Sequence, residues 1–68
     1  MKSEKVRRAE LEGVGGQVSN ARRAGATLTA RIRFSDKAEQ ERAAFKLRGF
    51  GWGVSVDGAT LRCLVVVA

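Results

Sequence analysis

Ala26-Thr27-Leu28-Thr29-Ala30-Arg31-Ile32-Arg33-Phe34 is the stretch on which the fold turns. Leu28, Ala30, Ile32 and Phe34 alternate with Thr27, Thr29, Arg31 and Arg33, and a period of two marks a strand with one buried face. One face is wholly apolar. The other carries two threonines and two arginines. Downstream, Ser35 and Asp36 offer side-chain oxygens for a helix N-cap, and Lys37 to Arg48 holds no helix breaker. Gly49 is the expected stop, with Lys46 and Arg48 at the end of the helix that favours cations. Ala38, Ala44, Phe45 and Leu47 are the residues such a helix would bury.

After Gly49 the pattern is that of a hairpin. Asp57-Gly58 is a favoured two-residue turn, because both central positions of that turn need positive φ. Counting outward from it pairs Val56 with Ala59, Val54 with Leu61 and Trp52 with Cys63. The helix would then cover a sheet face made by Leu28, Ile32, Phe34, Val54, Val56, Leu61 and Val65. Before residue 26 the reading stays open. Ser3 to Glu12 fits a short helix capped by Ser3 and ended by Gly13, and equally a strand with Ala9 and Leu11 facing in. A first strand within Glu10 to Ser19 is favoured, followed by a turn or loop over Asn20 to Gly25. No internal repeat is visible. The architecture expected is a small single α+β domain over residues 1–68, with residues 1–10 flexible. It is an antiparallel sheet of β-hairpin, one α-helix and β-hairpin, with the helix packed on one face.

Composition narrows the chemistry. The chain has 68 residues, no histidine and one cysteine, so Cys/His metal sites and Ser-His catalysis have no ligands or base. Cys63, set among apolar residues, reads as core. Glu39 and Glu41, two apart on a helix, read as solvated. No enzyme, cofactor, metal or small-molecule substrate is implied. The apolar uncharged run Cys63 to Ala68 falls far short of the ~20 residues that span a bilayer. With no signal-like start, the expectation is a cytoplasmic protein without a membrane partner.

Charge is the positive clue. Thirteen Lys plus Arg against seven Asp plus Glu leave +6, and nine of the cations are arginine. The helix-free sheet face would hold Thr27, Thr29, Arg31, Arg33, Ser55, Thr60 and Arg62, and guanidinium forks match phosphate oxygens. Arg22 and Arg23 would join them from the loop. These five arginines (Arg22, Arg23, Arg31, Arg33 and Arg62) are the candidate nucleic-acid contacts, against the competing reading of a plain solvated face. Arg48-Gly49-Phe50-Gly51-Trp52 resembles the opening of the aromatic signature of RNA-recognition motifs. The likeness ends at Gly53 and Ser55, and Trp52 shares the parity of the core residues.

Leu64 and Val66 fall on the arginine-bearing face, so the last strand is apolar on both sides. Such a strand is normally central or covered. The expected cover is a second copy, in a homodimer formed by edge pairing or face packing of the terminal strands, or the N-terminal segment through Val6, Leu11 or Val14. The function expected is a non-enzymatic module binding DNA or RNA. The alternative is a small phage- or mobile-element-type regulator or inhibitor that docks onto an acidic protein or ribonucleoprotein surface.

Overall fold

The stretch around Ile32 forms strand β2, Thr27–Arg33, in the computed structural model, which describes residues 1–68. Around it stand α1 (Glu4–Glu12), β1 (Gln17–Ala24), α2 (Lys37–Gly49), β3 (Gly53–Asp57) and β4 (Thr60–Val66). The four strands make one antiparallel sheet in the order β1-β2-β4-β3. Leu11 of α1 and Ala43, Ala44 and Leu47 of α2 join Leu28, Ile32, Leu61 and Val65 in one core of 13 buried residues. Both helices therefore lie on the same face of the sheet. The α+β class and the hairpin–helix–hairpin order hold, with a second helix added in front.

Of the two readings open for Ser3 to Glu12, the helix is the one found: residues 4–12 form α1, so residues 4–10 are not flexible and no strand forms there. The N-cap of α1 is Ser3, whose hydroxyl accepts from the Val6 N–H, and Gly13 follows the helix. Leu11 and Arg7 anchor the helix in the interior. The first strand begins inside the expected Glu10–Ser19 window, at Gln17, but runs on to Ala24, straight through the segment expected to be a turn or loop. In α2 the cap is Asp36, and the buried side chains are Gln40, Ala43, Ala44 and Leu47. Ala38 and Phe45 point outward instead, Phe45 with 76% of its surface exposed. The helix also passes through Gly49. Reversal comes at Gly51, whose φ of +98° is a left-handed value that glycine tolerates best.

The second hairpin turns on Gly58-Ala59, not Asp57-Gly58. Asp57 pairs with Thr60, Val56 with Leu61 and Val54 with Cys63. Gly58 has φ +60° and Ala59 does not enter positive φ, which is the pattern of a II′ turn. The shift from the expected register is two residues, so every side chain keeps its face. Val54 is half-buried, whereas Val56 is exposed at the sheet edge.

The chain also contains an internal repeat, contrary to the expectation of none. Gly25-Ala26-Thr27-Leu28 recurs 33 residues later as Gly58-Ala59-Thr60-Leu61. The first hairpin turns on Gly25-Ala26, with φ +61° at Gly25, just as the second turns on Gly58-Ala59. Ser3 and Asp36, the two helix caps, stand at the same offset. So do Arg7 and Gln40, the buried polar residues of the two helices. Phe34 N–H donates to the Ala59 carbonyl, and Val67 N–H donates to the Ala26 carbonyl, the same bond in each half. β2 meets β4 with Ala30 opposite Cys63, which are themselves equivalents. A pseudo-two-fold axis thus passes between them, and the fold is two α-β-β units joined through β2 and β4.

Candidate nucleic-acid interface

Residues that pair across an antiparallel sheet share a face, so the register builds the helix-free surface row by row. Ser19, Arg31, Arg62 and Ser55 make one row across all four strands. Gln17, Arg33, Thr60 and Asp57 make the row beside it, on the side of the Gly58-Ala59 turn. On the other side lie Arg22, Thr29, Leu64 and Gly53, followed by Ala24, Thr27 and Val66. Four of the five arginines expected at the site (Arg22, Arg31, Arg33 and Arg62) therefore come together. A shallow depression at the middle of this face is lined by Arg22, Thr29, Arg31, Arg62 and Leu64, with Asn20 at its rim.

Arg22 reaches this face because of a bulge. Asn20 and Ala21 stand together opposite Ala30, where the β1–β2 register shifts. Asn20 holds φ +54°, and asparagine is one of the few non-glycine residues that adopts it readily. Counting by twos from the inward Val18 would bury Arg22. The extra residue turns Ala21 inward and Arg22 out, a re-aiming typical of bulges. Arg23 goes the other way. It pairs with the buried Leu28 and its Nη1 lies 3.3 Å from Glu4 Oε1 of α1, so it is not part of the site. Neither arginine sits in a loop. Gln17 and Ser19 were not anticipated, although the alternation Gln17-Val18-Ser19 carries the signal.

The ion pairs sit elsewhere. All four involve Glu4 or Glu10 of α1: Arg8 and Arg23 with Glu4, Lys2 and Arg7 with Glu10. Hydrogen bonds from Arg8, then Arg23, hold the Glu4 carboxyl below its usual 4.5. Burial by itself would raise Glu10, but hydrogen bonds from Lys2, Arg7 and Trp52 outweigh it and bring that carboxyl below 4.5. Arg7 also donates to the Phe50 carbonyl at 2.7 Å, and Trp52 Nε1 donates to Glu10 at 3.0 Å. The Arg48–Trp52 segment is thus a structural clasp around buried Trp52, in keeping with its reading as core. By contrast, Arg22, Arg31, Arg33 and Arg62 have no carboxylate partner.

Cys63 is buried, and burial pushes its thiol up to about 11. Leu64 and Val66 face outward as expected, 55% and 50% exposed. β4 is an interior strand, bonded to β2 on one edge and β3 on the other, which closes off edge pairing between two copies. The N-terminal segment is not the cover either, because α1 lies on the opposite face with Leu11 in the core. No helix is long and apolar enough to cross a membrane. The chain matches no protein-family profile, and neither a curated protein nor a solved structure matches it.

Proposed function

We propose that this protein is a non-enzymatic module that binds nucleic acid by contacting phosphates with the open sheet face. The observation that carries the reading is the clustering of Arg22, Arg31, Arg33 and Arg62 on one face without a single carboxylate partner. Guanidinium groups left unneutralised by the fold are available to phosphate oxygens, and Ser19, Ser55 and Thr60 place neutral donors beside them. No aromatic residue lies on this face, so bases are not read by stacking. Binding is therefore backbone-directed and weakly selective for sequence.

Fluorescence anisotropy with labelled oligonucleotides at ~50 mM salt tests this, since counterion release makes such binding strong there. With four phosphate contacts, log K should fall against log salt with a slope of about −3.6 on a duplex or about −2.8 on a single strand. The double variant Arg31→Gln/Arg62→Gln should lose about two units of slope. Absence of binding to every oligonucleotide at ~50 mM salt removes the proposal.

A second reading is favoured by Leu64 and Val66, since protein interfaces have apolar centres. It is docking, in the manner of a phage-type regulator, onto an acidic protein surface. Pull-down from nuclease-treated lysate separates the two, because only a protein partner survives that treatment. Face packing in a homodimer is the remaining form of self-association. It would set four arginines against four, and a standard interface of ~800 Å² per partner is near a fifth of the 4304 Å² total surface. A cytoplasmic location suits either reading.

A further inference from the structure

The pseudo-two-fold axis gives the open face two halves built on equivalent hairpins, one of them bulged at Asn20, and of unequal chemistry. Arg31 and Arg33 of β2 have Leu64 and Val66 of β4 as their equivalents 33 residues on. Arg62 answers to Thr29, and Arg22 to Ser55. Each arginine of the face thus has an uncharged counterpart. The outcome is a surface with Arg31, Arg33 and Arg62 toward the Gly58-Ala59 turn, and with Leu64 and Val66 toward Gly25-Ala26, where Arg22 alone adds charge from the β1 edge.

Resting on the proposed function, we infer that this face takes single-stranded rather than double-stranded nucleic acid. Phosphates lie over Arg31, Arg33 and Arg62, and bases lie against Leu64 and Val66. A duplex keeps its bases stacked inside and offers a protein surface its charged backbone. Laid on this face, it would bring anionic groups over two half-exposed aliphatics, where the phosphates lose water and only the flanking Arg22, Thr27 and Thr29 could replace it. A single strand is itself two-sided, with anions along one edge and the weakly polar faces of unstacked bases along the other. That partition complements the partition of the face. The occupant is chosen by charge complementarity at one end and by burial of Leu64 and Val66 at the other. Contact through aliphatic rather than hydrogen-bonding groups carries little base preference.

The experiment compares a labelled 12-nucleotide single strand, its blunt duplex and inorganic polyphosphate in anisotropy titrations at ~50 mM salt. Wild-type protein should favour the single strand over the duplex. Leu64→Ser/Val66→Ser should lose roughly tenfold or more on the single strand, the effect of removing the aliphatic area that the bases would otherwise cover. Polyphosphate affinity should not change in that variant. Leu64→Arg, which copies Arg31 at the equivalent position, should raise duplex affinity and erase the preference, and it keeps the test open if the serine variant misfolds. Equal wild-type affinity for single strand and duplex overturns the inference and leaves phosphate binding intact. So does an unchanged single-strand affinity in a folded serine variant. Failure to bind any of the three probes would remove the proposed function itself.

Discussion

Neutralising Arg62 should make the protein more stable, not less. Arg31 and Arg62 stand directly opposite on neighbouring strands, and like charges so placed destabilise a sheet. Long side chains splay, so a charge separation of roughly 7 Å is reasonable, and in water that is a repulsion of about 0.6 kcal/mol. Arg33, two residues along β2, adds to it. At ~10 mM salt, where screening acts over ~30 Å, nearly all of this survives; at ~1 M, where it acts over ~3 Å, almost none does. Arg62→Gln keeps the side-chain length and removes the charge. It should therefore raise the melting temperature by about 2–4 °C at ~10 mM salt, since 1 kcal/mol moves a domain this small by about 4–8 °C. Thermal unfolding followed by circular dichroism at the two salt concentrations reads the difference. Any contribution of glutamine's own strand preference is common to both and cancels. If the variant is less stable at low salt, Arg62 supports the fold, and the premise that these arginines are held for a ligand fails.

Other perturbations test the fold. Leu11→Ala, at a side chain 1% exposed, should cost about 2–5 kcal/mol in urea unfolding, a large share of a small domain's stability. Gly25→Ala and Gly58→Ala should each cost about 1–2 kcal/mol, and by similar amounts, because a Cβ meets nothing within 4 Å and only the left-handed backbone is penalised. Glu10 has a lowered folded pKa, so its contribution is complete above its usual 4.5 and is lost as pH falls through the lowered value. Glu10→Gln should flatten the acid limb of stability against pH, measured by urea midpoints from pH 7 to pH 3. Cys63, buried with a thiol near 11, should be inert to a thiol reagent at neutral pH in the folded protein and react promptly in denaturant.

What the sequence makes legible follows from what its patterns can and cannot distinguish. Period-two alternation assigns faces, and faces survive a register shift of two, so Leu61, Cys63 and Val65 are inward under either turn. Choosing between Asp57-Gly58 and Gly58-Ala59 is a contest between two acceptable turn chemistries. The deciding clue is the other hairpin, where the identical Gly25-Ala26-Thr27-Leu28 takes the same turn, a repeat that the sequence carries in plain view. Arg22 was invisible as a face residue because one asparagine breaks the alternation that would have placed it. Phe45 was misread because its apolarity was counted without its angle: Gln40, Ala43, Ala44 and Leu47 fill the inward stripe, and Phe45 lies well off it. The short helix α1 was ambiguous because it buries only Leu11 and Arg7, too few positions to establish a period.

The distribution of charge bears on the competing reading, that the open face is merely solvated. A surface kept polar for solubility mixes both signs, since mixing limits self-repulsion at no loss of hydration. α2 does this: Lys37, Arg42, Lys46 and Arg48 are interleaved with Glu39 and Glu41. α1 goes further and pairs two of its three acids, Glu4 and Glu10, with four cations. The sheet face does neither. Its one acidic residue, Asp57, stands at a corner, and its central row sets Arg31 against Arg62. Solubility would be served as well by Thr at both positions, and Thr29, the counterpart of Arg62, shows that the backbone accepts it. If Arg62→Gln stabilises the free protein as expected, the arrangement is one that an anion would relieve, which is what the proposed binding surface calls for. A solvated face gains nothing from it.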